Sequence, residues 1–459
     1  MAPIGLKLTE PPNDCVSAQP ALGYFCDMFR SWWTSQPGLG GSPGERLDKL
    51  RRGGYTIITS IDPKVQNAAL AHILSREKVD SPYALGMVAI EPHTGLVRAM
   101  AVNRVYSLDK SRNGPHSDPQ LRKKKIKGNY PNTVNPLLGG GTIAGYQAGS
   151  TFKMFTMLAA LEAGMPLSTS IYAPQTYTSI YRTGPNDPSM CGNERWCPSN
   201  AGKNLAGKFN MWTGFARSVN TYFVQLEQRA GAEAAVRMAE RLGLHWRTGI
   251  DQLQASPQKA RTWGAFTLGV ADTTPLEMAD AFATVAADGT YCEPIPVMSI
   301  VDVNGKQVLD QNGVAVAAPR CRQVLNPDVA RGAVDAARCV TGYGAATGSC
   351  GGGSTAPGVY RTVGRPVAGK TGTTDDNRSA WFIGMTPALT IAGFIADPDN
   401  PFHLVTAAGH SKPRDSVAET LRDALAGTAY RDFTPPPPTI TGAGAKKGKS
   451  SKSTAKKKG

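Results

Sequence analysis

Gly149-Ser150-Thr151-Phe152-Lys153-Met154-Phe155-Thr156-Met157-Leu158-Ala159-Ala160-Leu161-Glu162-Ala163 carries only two charges, Lys153 and Glu162, and is stopped by Gly164 and Pro166. A helix that is apolar on every side offers nothing to water, so it belongs at the centre of a large domain. This one begins at a serine, with a lysine three residues on. Positions i and i+3 share a helix face, which puts the Lys153 amine within reach of the Ser150 hydroxyl. Backbone N–H groups in a first helical turn lack intrahelical partners and can hold negative charge developing on an oxygen. Taken alone, the same residues describe a serine N-cap followed by a lysine whose stem lies along apolar surface. The S-x-x-K spacing also occurs five times, at Ser75, Ser107, Ser150, Ser256 and Ser453. Only Ser150 opens a buried helix.

Working outward, Tyr55 to Thr59 is the first β-branched run and Pro63 to Lys78 has helical spacing. Ala84–Ile90 and Leu96–Val102 flank a His93-Thr94-Gly95 turn as a hairpin, and Tyr106 to Gly141 shows no periodicity. Downstream, helices are expected at Trp212–Arg229, Ala232–Leu242 and Pro275–Asp288, the last ended by Gly289. Pro366–Thr374, Ser379–Met385 and Leu389–Ile395 read as three strands of an antiparallel meander. An antiparallel sheet packed between helices, with a buried central helix, is an α+β architecture. Residues 1–52, rich in Pro, Gly and Trp, read as a linker or docking segment, and 53–432 as the main domain. Residues 433–459, from the Pro435–Pro438 run into the lysines, read as a disordered tail.

The 459 residues carry a formal charge of +15, but seven of those charges are lysines between Ile440 and Gly459, leaving +8 elsewhere. A smaller cluster, Arg122-Lys123-Lys124-Lys125 with Lys127, sits in a Gly/Pro/Asn-rich region. Neither is interleaved with the aromatics that base stacking requires, so nucleic acid is not an expected partner. Both read as solvated tail and loop, suited to an anionic wall or membrane surface. The eight cysteines include no CxxC pair, and the six histidines do not cluster with them, so zinc spacing is absent. Cys15/Cys26, Cys191/Cys197 and Cys339/Cys350 are close enough to be local staples, leaving Cys292/Cys321. That is one of 105 possible pairings, and buried free thiols are the alternative. Disulfides would place the chain in an oxidising compartment. No run of eighteen apolar residues exists, and Met1-Ala2-Pro3 opens into polar sequence. Neither a membrane span nor a secretion signal is expected, which suits a cytoplasmic protein or a piece of a longer one.

Two further motifs follow the buried helix. Ser218-Val219-Asn220 stands in or beside a helix; S-x-N recurs at Ser111-Arg112-Asn113, and a surface cap is its ordinary meaning. Lys370-Thr371-Gly372-Thr373-Thr374 occurs once, on an expected strand, where the glycine lets another backbone or a ligand approach. With two hydroxyls beside the lysine it makes a carboxylate grip; an edge strand guarded by a lysine is the alternative. In this order the three motifs resemble the set of penicillin-binding proteins and serine β-lactamases. The flanking sequence resembles the transpeptidase domain of class A, bifunctional penicillin-binding proteins over about residues 52 to 430. The matching stretches include Arg52-Gly53-Gly54-Tyr55-Thr56-Ile57, Ala89-Ile90-Glu91-Pro92-His93-Thr94-Gly95, Arg217-Ser218-Val219-Asn220-Thr221, Thr274-Pro275-Leu276-Glu277-Met278-Ala279 and Ala380-Trp381-Phe382-Ile383-Gly384. Ser379 stands where the family usually has Asp, and Gln147-Ala148 replaces a frequent Pro. The membrane helix and glycosyltransferase domain of such proteins have no counterpart here, so polymerase activity is not expected.

The resemblance implies a penicillin-binding protein/serine β-lactamase-like fold, with residues 53–432 as the transpeptidase domain. It implies a D,D-transpeptidase that cross-links peptidoglycan stem peptides through an acyl-enzyme on Ser150. Lys153 is the implied base, its pKa lowered by burial and by Lys370. Ser218 relays a proton, and Asn220 bonds Lys153 and the substrate amide. Lys370, Thr371 and Thr373, on the strand carrying Gly372, hold the terminal carboxylate, and the N–H groups of Ser150 and Thr373 form the oxyanion hole. Neither metal nor organic cofactor is implied. The implied partners are a D-Ala-D-Ala donor, an amine acceptor and inhibitory β-lactams, on the extracytoplasmic face of a membrane reached through an absent N-terminal part. A D,D-carboxypeptidase, a β-lactamase and a non-catalytic β-lactam sensor or scaffold are the alternatives, although the Glu-x-x-Leu-Asn segment of class A β-lactamases is missing.

Overall fold

The computed structural model describes residues 14–134, 144–184, 187–348, 350–374 and 377–443. The expected linker or docking segment is folded from Asp14 onward, into α1 (Gly23–Ser35) and α2 (Pro43–Arg52). A reciprocal capping box starts α2: Ser42 accepts from the Glu45 N–H, and Glu45 reaches back to the Ser42 N–H. Trp33 is fully buried and donates through Nε1 to the Arg46 carbonyl at 2.6 Å. With Leu39 it packs on Ile295, Val297 and Ile300. The tryptophans that suggested a docking segment thus bury themselves in a small lobe, which β1 (Thr56–Thr59) completes by pairing with Val297–Val301.

Asp62 caps α3 (Pro63–Leu74), accepting from the Lys64 and Val65 N–H groups. This helix stops short of Lys78, and the polar turn beyond it places Arg76 and Glu77 in ion pairs with Glu419 and Lys412. β2 (Ala84–Ile90) and β3 (Val97–Val102) form the expected hairpin. They join β6 (Ala368–Thr373), β7 (Ser379–Met385) and β8 (Thr390–Ala396) in one sheet of order β6-β7-β8-β2-β3, antiparallel throughout. Two short strands, β4 (Tyr146–Gln147) and β5 (Asp272–Thr273), pair beside it.

Register divides the sheet into two faces. Lys370, Ile383, Ala392 and Val88 lie opposite one another on one face; Phe382, Gly393 and Met87 lie on the other. α10 (Ala407–Leu425) covers the second face, with Val417 lying over Gly384 and Gly393, and packs against α3. Toward the first face stand α4 (Lys153–Glu162), α8 (Pro275–Ala286) and α9 (Pro327–Thr341). Every residue of α4 except Glu162 is buried, so the apolar run does form the central helix, entered through a 3-10 turn at Gly149–Phe152. Thr274 and Glu277 cap α8 reciprocally, and Asn326 caps α9.

The helix expected across Trp212–Arg229 is two, α5 (Met211–Ala216) and α6 (Asn220–Ala230), followed by α7 (Ala232–Arg241). The break is local. Val219 N–H bonds the Gly214 carbonyl at 2.9 Å, and Ser218 takes a left-handed φ of 55°. Apolar periodicity continues across those residues, which is why the sequence pattern hides the interruption. Tyr106–Gly141 contains a short helix, Pro119–Lys123, which carries part of the basic cluster; residues 135–143 lie outside the described residues.

The first part of the expected tail is docked as well. Phe433 is buried, and the Ile440 carbonyl accepts from the Leu167 N–H at 2.8 Å. Residues 444–459, with the seven lysines, lie outside the described residues. Cys15–Cys26, Cys191–Cys197, Cys292–Cys321 and Cys339–Cys350 are disulfide-bonded. Among the described residues no helix is long and apolar enough to cross a membrane.

Candidate active site

The 3-10 turn and the break between α5 and α6 bring two lysines and two serines into one string. Lys153 Nζ lies 2.9 Å from Ser150 Oγ and 3.1 Å from Ser218 Oγ. It also donates to the Ser218 carbonyl at 2.7 Å and to Asn220 Oδ1 at 2.6 Å. Asn220 Nδ2 donates in turn to the Ser199 carbonyl at 2.9 Å, which fixes the amide with its oxygen toward the lysine. From the other side Lys370 Nζ donates to Ser218 Oγ at 2.9 Å and to the Thr371 carbonyl at 2.9 Å. Ser218 therefore bridges two lysine side chains, both fully buried. Its left-handed backbone, costing on the order of 1–3 kcal/mol for a non-glycine residue, aims carbonyl and hydroxyl at the same amine.

Lys370 sits on β6, the edge strand of the sheet, so the alternative of a lysine on an edge is met in geometry. Its side chain, however, points inward over the Phe215 ring, with Nζ 5.3 Å from the centroid. Among the described residues no carboxylate pairs with it. Burial without a counter-charge brings its amine down to about 7.

Three glycines let the serine approach the strand. A Cβ on Gly372 would overlap the Ala148 carbonyl, one on Gly149 the backbone of Thr373, and one on Gly269 the backbone of Gly149. Gly149 and Gly269 also need their positive φ of 57° and 73°. The Gly149 N–H donates to the Gly269 carbonyl at 3.2 Å, closing a three-layer stack of backbones under Ser150. Ser379 replaces a carboxylate without leaving a gap, because its Oγ donates to the Gln147 carbonyl at 2.6 Å, shared with Trp381 Nε1 at 2.9 Å.

All eight residues singled out in the sequence gather here: Ser150, Lys153, Ser218, Asn220 and Lys370 through the contacts above, Gly372 and Thr373 against Ala148 and Gly149, and Thr371 beside them. Sequence reasoning missed the partner of Thr371. Thr371 Oγ1 bonds Thr355 Oγ1 at 2.8 Å, and the Thr355 N–H bonds the Ala216 carbonyl at 3.0 Å, where α5 ends. Thr355 belongs to the Gly-rich loop after α9, which the Cys339–Cys350 disulfide ties back to that helix. Close cysteine spacing hinted at a staple; nothing in the sequence said what it holds. The arrangement offers a hydroxyl next to an amine, a second amine one hydroxyl away, and a strand edge ending in hydroxyls. That is equipment for acyl transfer without a histidine.

The family profile described as "Penicillin binding protein transpeptidase domain" matches residues 85–421. The chain is 28% identical to penicillin-binding protein 1A of Mycobacterium tuberculosis, over 86% of its own length and 42% of the relative's. It is 32% identical to penicillin-binding protein 1A of Aquifex aeolicus, over 53% of this chain and 28% of that one. Against penicillin-binding protein 2D of Bacillus subtilis it is 25% identical, over 93% and 52%. The chain thus spans between about a quarter and half the length of the curated relatives it matches. In structure it is similar to the PonA1 protein of Mycobacterium tuberculosis in complex with penicillin V, with a TM-score of 0.59 and 25% identity. That match covers 85% of this chain and 91% of the other. Penicillin-binding protein 1A of Haemophilus influenzae shares the fold, with a TM-score of 0.57 and 20% identity over 79% and 51%.

Proposed function

The chain belongs to the penicillin-binding protein transpeptidase family, and from that premise we propose that it is a D,D-transpeptidase, with residues 53–432 as the catalytic domain and Ser150 as the nucleophile. The observation that carries the reading is the string Ser150–Lys153–Ser218–Lys370, each link within hydrogen-bond reach. Lys153 donates two N–H groups to oxygens that can only accept, the Ser218 carbonyl and Asn220 Oδ1. In an uncharged amine the remaining position is a lone pair, which takes the Ser150 hydroxyl proton. Lys153 is the general base on that account.

The donor is a stem peptide ending in D-Ala-D-Ala. Its terminal carboxylate is held by Lys370, Thr371 and Thr373, and Ser150 Oγ attacks the penultimate carbonyl as its proton passes to Lys153. Negative charge collects on the carbonyl oxygen, held by the N–H groups of Ser150, in the first turn of its helix, and of Thr373. The tetrahedral adduct collapses, the C–N bond breaks, and the departing D-Ala nitrogen takes a proton relayed through Ser218. An amine of a second stem then attacks the acyl-enzyme, forms the new amide and returns the proton to Ser150. A β-lactam opens on Ser150 by the first half of the same path. The four disulfides suit an oxidising compartment, so we place this domain on the extracytoplasmic side of a bacterial membrane.

Incubation with a D-Ala-D-Ala pentapeptide donor and an amine acceptor tests this. Release of D-Ala with a cross-linked product is expected, and Ser218→Ala should lower the rate about 100-fold or more, as loss of a proton-transfer group does. D-Ala released only with hydrolysed donor would make the protein a carboxypeptidase; no release at all would leave a β-lactam sensor.

A further inference from the structure

Asp335 is the only acid among the buried residues of α9. Both of its oxygens are taken by donors from other parts of the chain. Oδ2 accepts from Trp212 Nε1, in α5, at 2.8 Å, and Oδ1 accepts from the Ala346 N–H, in the loop after α9, at 2.6 Å. Its counter-charge is loose. Arg338 Nη1 stays 3.8 Å from Oδ1, and the guanidinium lies over the Tyr343 ring, 4.3 Å from the centroid. Taking a carboxylate out of water costs more than so distant an ion pair returns, so stability alone does not account for an acid at this position.

The two donors belong to a closed ring. Trp212 and Ala216 are both in α5, and Ala346 and Thr355 are both in the loop. Asp335 ties the first of each pair together, and the Thr355 N–H ties the second pair by its bond to the Ala216 carbonyl at 3.0 Å. Between the two ties Gly351 lies so near α5 that an added Cβ would come 3.1 Å from the Thr213 methyl. Two contacts join this ring to the catalytic strand. Thr355 Oγ1 meets Thr371 Oγ1 at 2.8 Å, and Thr341 Oγ1, at the end of α9, donates to the Val367 carbonyl at 2.7 Å, just before β6. On the other side, Ala216 stands two residues before Ser218.

We propose that Asp335 is a positioning residue for the carboxylate grip. By holding Trp212 and Ala346 on its two oxygens it fixes the Gly-rich loop against α5, so that the Thr355 hydroxyl keeps Thr371 in the orientation that meets a ligand carboxylate. The assignment rests on the proposed acylation of Ser150 and on Thr371 as a carboxylate ligand. It makes a buried acid that touches no ligand a determinant of which ligands react: acids are favoured over their esters.

The test is the ratio of second-order acylation by benzylpenicillin to that by its methyl ester, measured on the full chain with its disulfides intact. Asp335→Asn keeps the shape but offers one acceptor oxygen in place of two, so either Trp212 or Ala346 loses its partner. The ratio should fall about tenfold, the worth of one hydrogen bond, through the acid's rate alone. Trp212→Phe cuts the same tie from α5 and should do the same, which keeps the test open if Asp335→Asn does not fold. In a Thr355→Val background neither change should lower the ratio further, because both act through that hydroxyl. Leu421→Ala, in α10 behind the sheet, should lower the melting temperature and leave the ratio alone. An unaltered ratio in the folded variants, an equal loss for acid and ester, a drop that multiplies with that of Thr355→Val, or a like drop in Leu421→Ala would overturn the role of Asp335 and leave the acylation of Ser150 in place. No acylation of the unaltered protein by either ligand would overturn both.

Discussion

Lys370 provides the sharpest test, because its amine is expected to change charge in the middle of the working pH range. Its pKa falls from 10.5 to about 7 on burial, which corresponds to about 5 kcal/mol of lost preference for the charged form. On the proposed function a ligand carboxylate at Thr371 and Thr373 would supply the missing counter-charge, so carboxylate ligands should bind the form in which Lys370 is protonated. Half the amines carry a proton at pH 7 and about one in a hundred at pH 9, so the acylation rate should drop about fiftyfold across that range. The proposed role of Lys153 as base applies equally to a ligand that lacks the carboxylate, so it cancels between the two. The assay is therefore a ratio: second-order acylation by benzylpenicillin divided by that of its methyl ester, from pH 5.5 to 9.5. The ratio should be flat below about pH 6 and fall by about a factor of ten per unit above about 7. A ratio independent of pH would refute the reasoning. Stability provides a companion measurement. Between about 7 and 10.5 the unfolded chain keeps this proton and the folded chain does not, so the free energy of unfolding should rise with pH through that window.

Other expectations follow from particular contacts. Thr355→Val removes the hydroxyl bonded to Thr371 and should slow acylation by benzylpenicillin up to about tenfold. Thr355→Ser should restore it, and the methyl ester should be unaffected; an equal loss for acid and ester would mean that the loop is merely structural. Gly269→Ala combines a left-handed φ of 73° with overlap on Gly149 and should cost several kcal/mol and most of the acylation rate. Gly305→Ala is its control, with a φ of 72° but open space around the added methyl, and should cost only about 1–2 kcal/mol in thermal unfolding. Similar melting temperatures for the two would remove the backbone stack from the account.

Much of this was legible in the sequence because it is local. Ser150 and Lys153 share a helix turn, β7 and β8 are uninterrupted apolar runs, and the central helix announces itself by having no polar side. Thr274-Pro275 with Glu277 marks a helix start that needs no tertiary information. What escaped is what depends on a distant partner. Ser218 turns left-handed because Lys153 takes its carbonyl and hydroxyl, yet the pattern from Trp212 to Arg229 stays helical to the eye. Thr355 matters only because a disulfide holds its loop over β6. Gly269 is an ordinary loop glycine until Gly149 is laid on it. The two longest helices, α10 and α9, are missing from the sequence reading for different reasons. The α10 stretch carries Gly409 and Pro413, which read as breakers, although the helix capped by Thr406 runs on through Pro413 to Leu425. The α9 stretch was within reach, since Asn326-Pro327-Asp328 is a helix-start signal ahead of evenly spaced Val and Ala.

The account stands on a covalent bond to one hydroxyl. Incubation with a labelled penicillin, then intact-mass measurement and peptide mapping, should find one adduct per chain, carried by the peptide containing Gly149-Ser150-Thr151, and none in Ser150→Ala. An adduct that persists in that variant, or one that maps to any other residue, contradicts it.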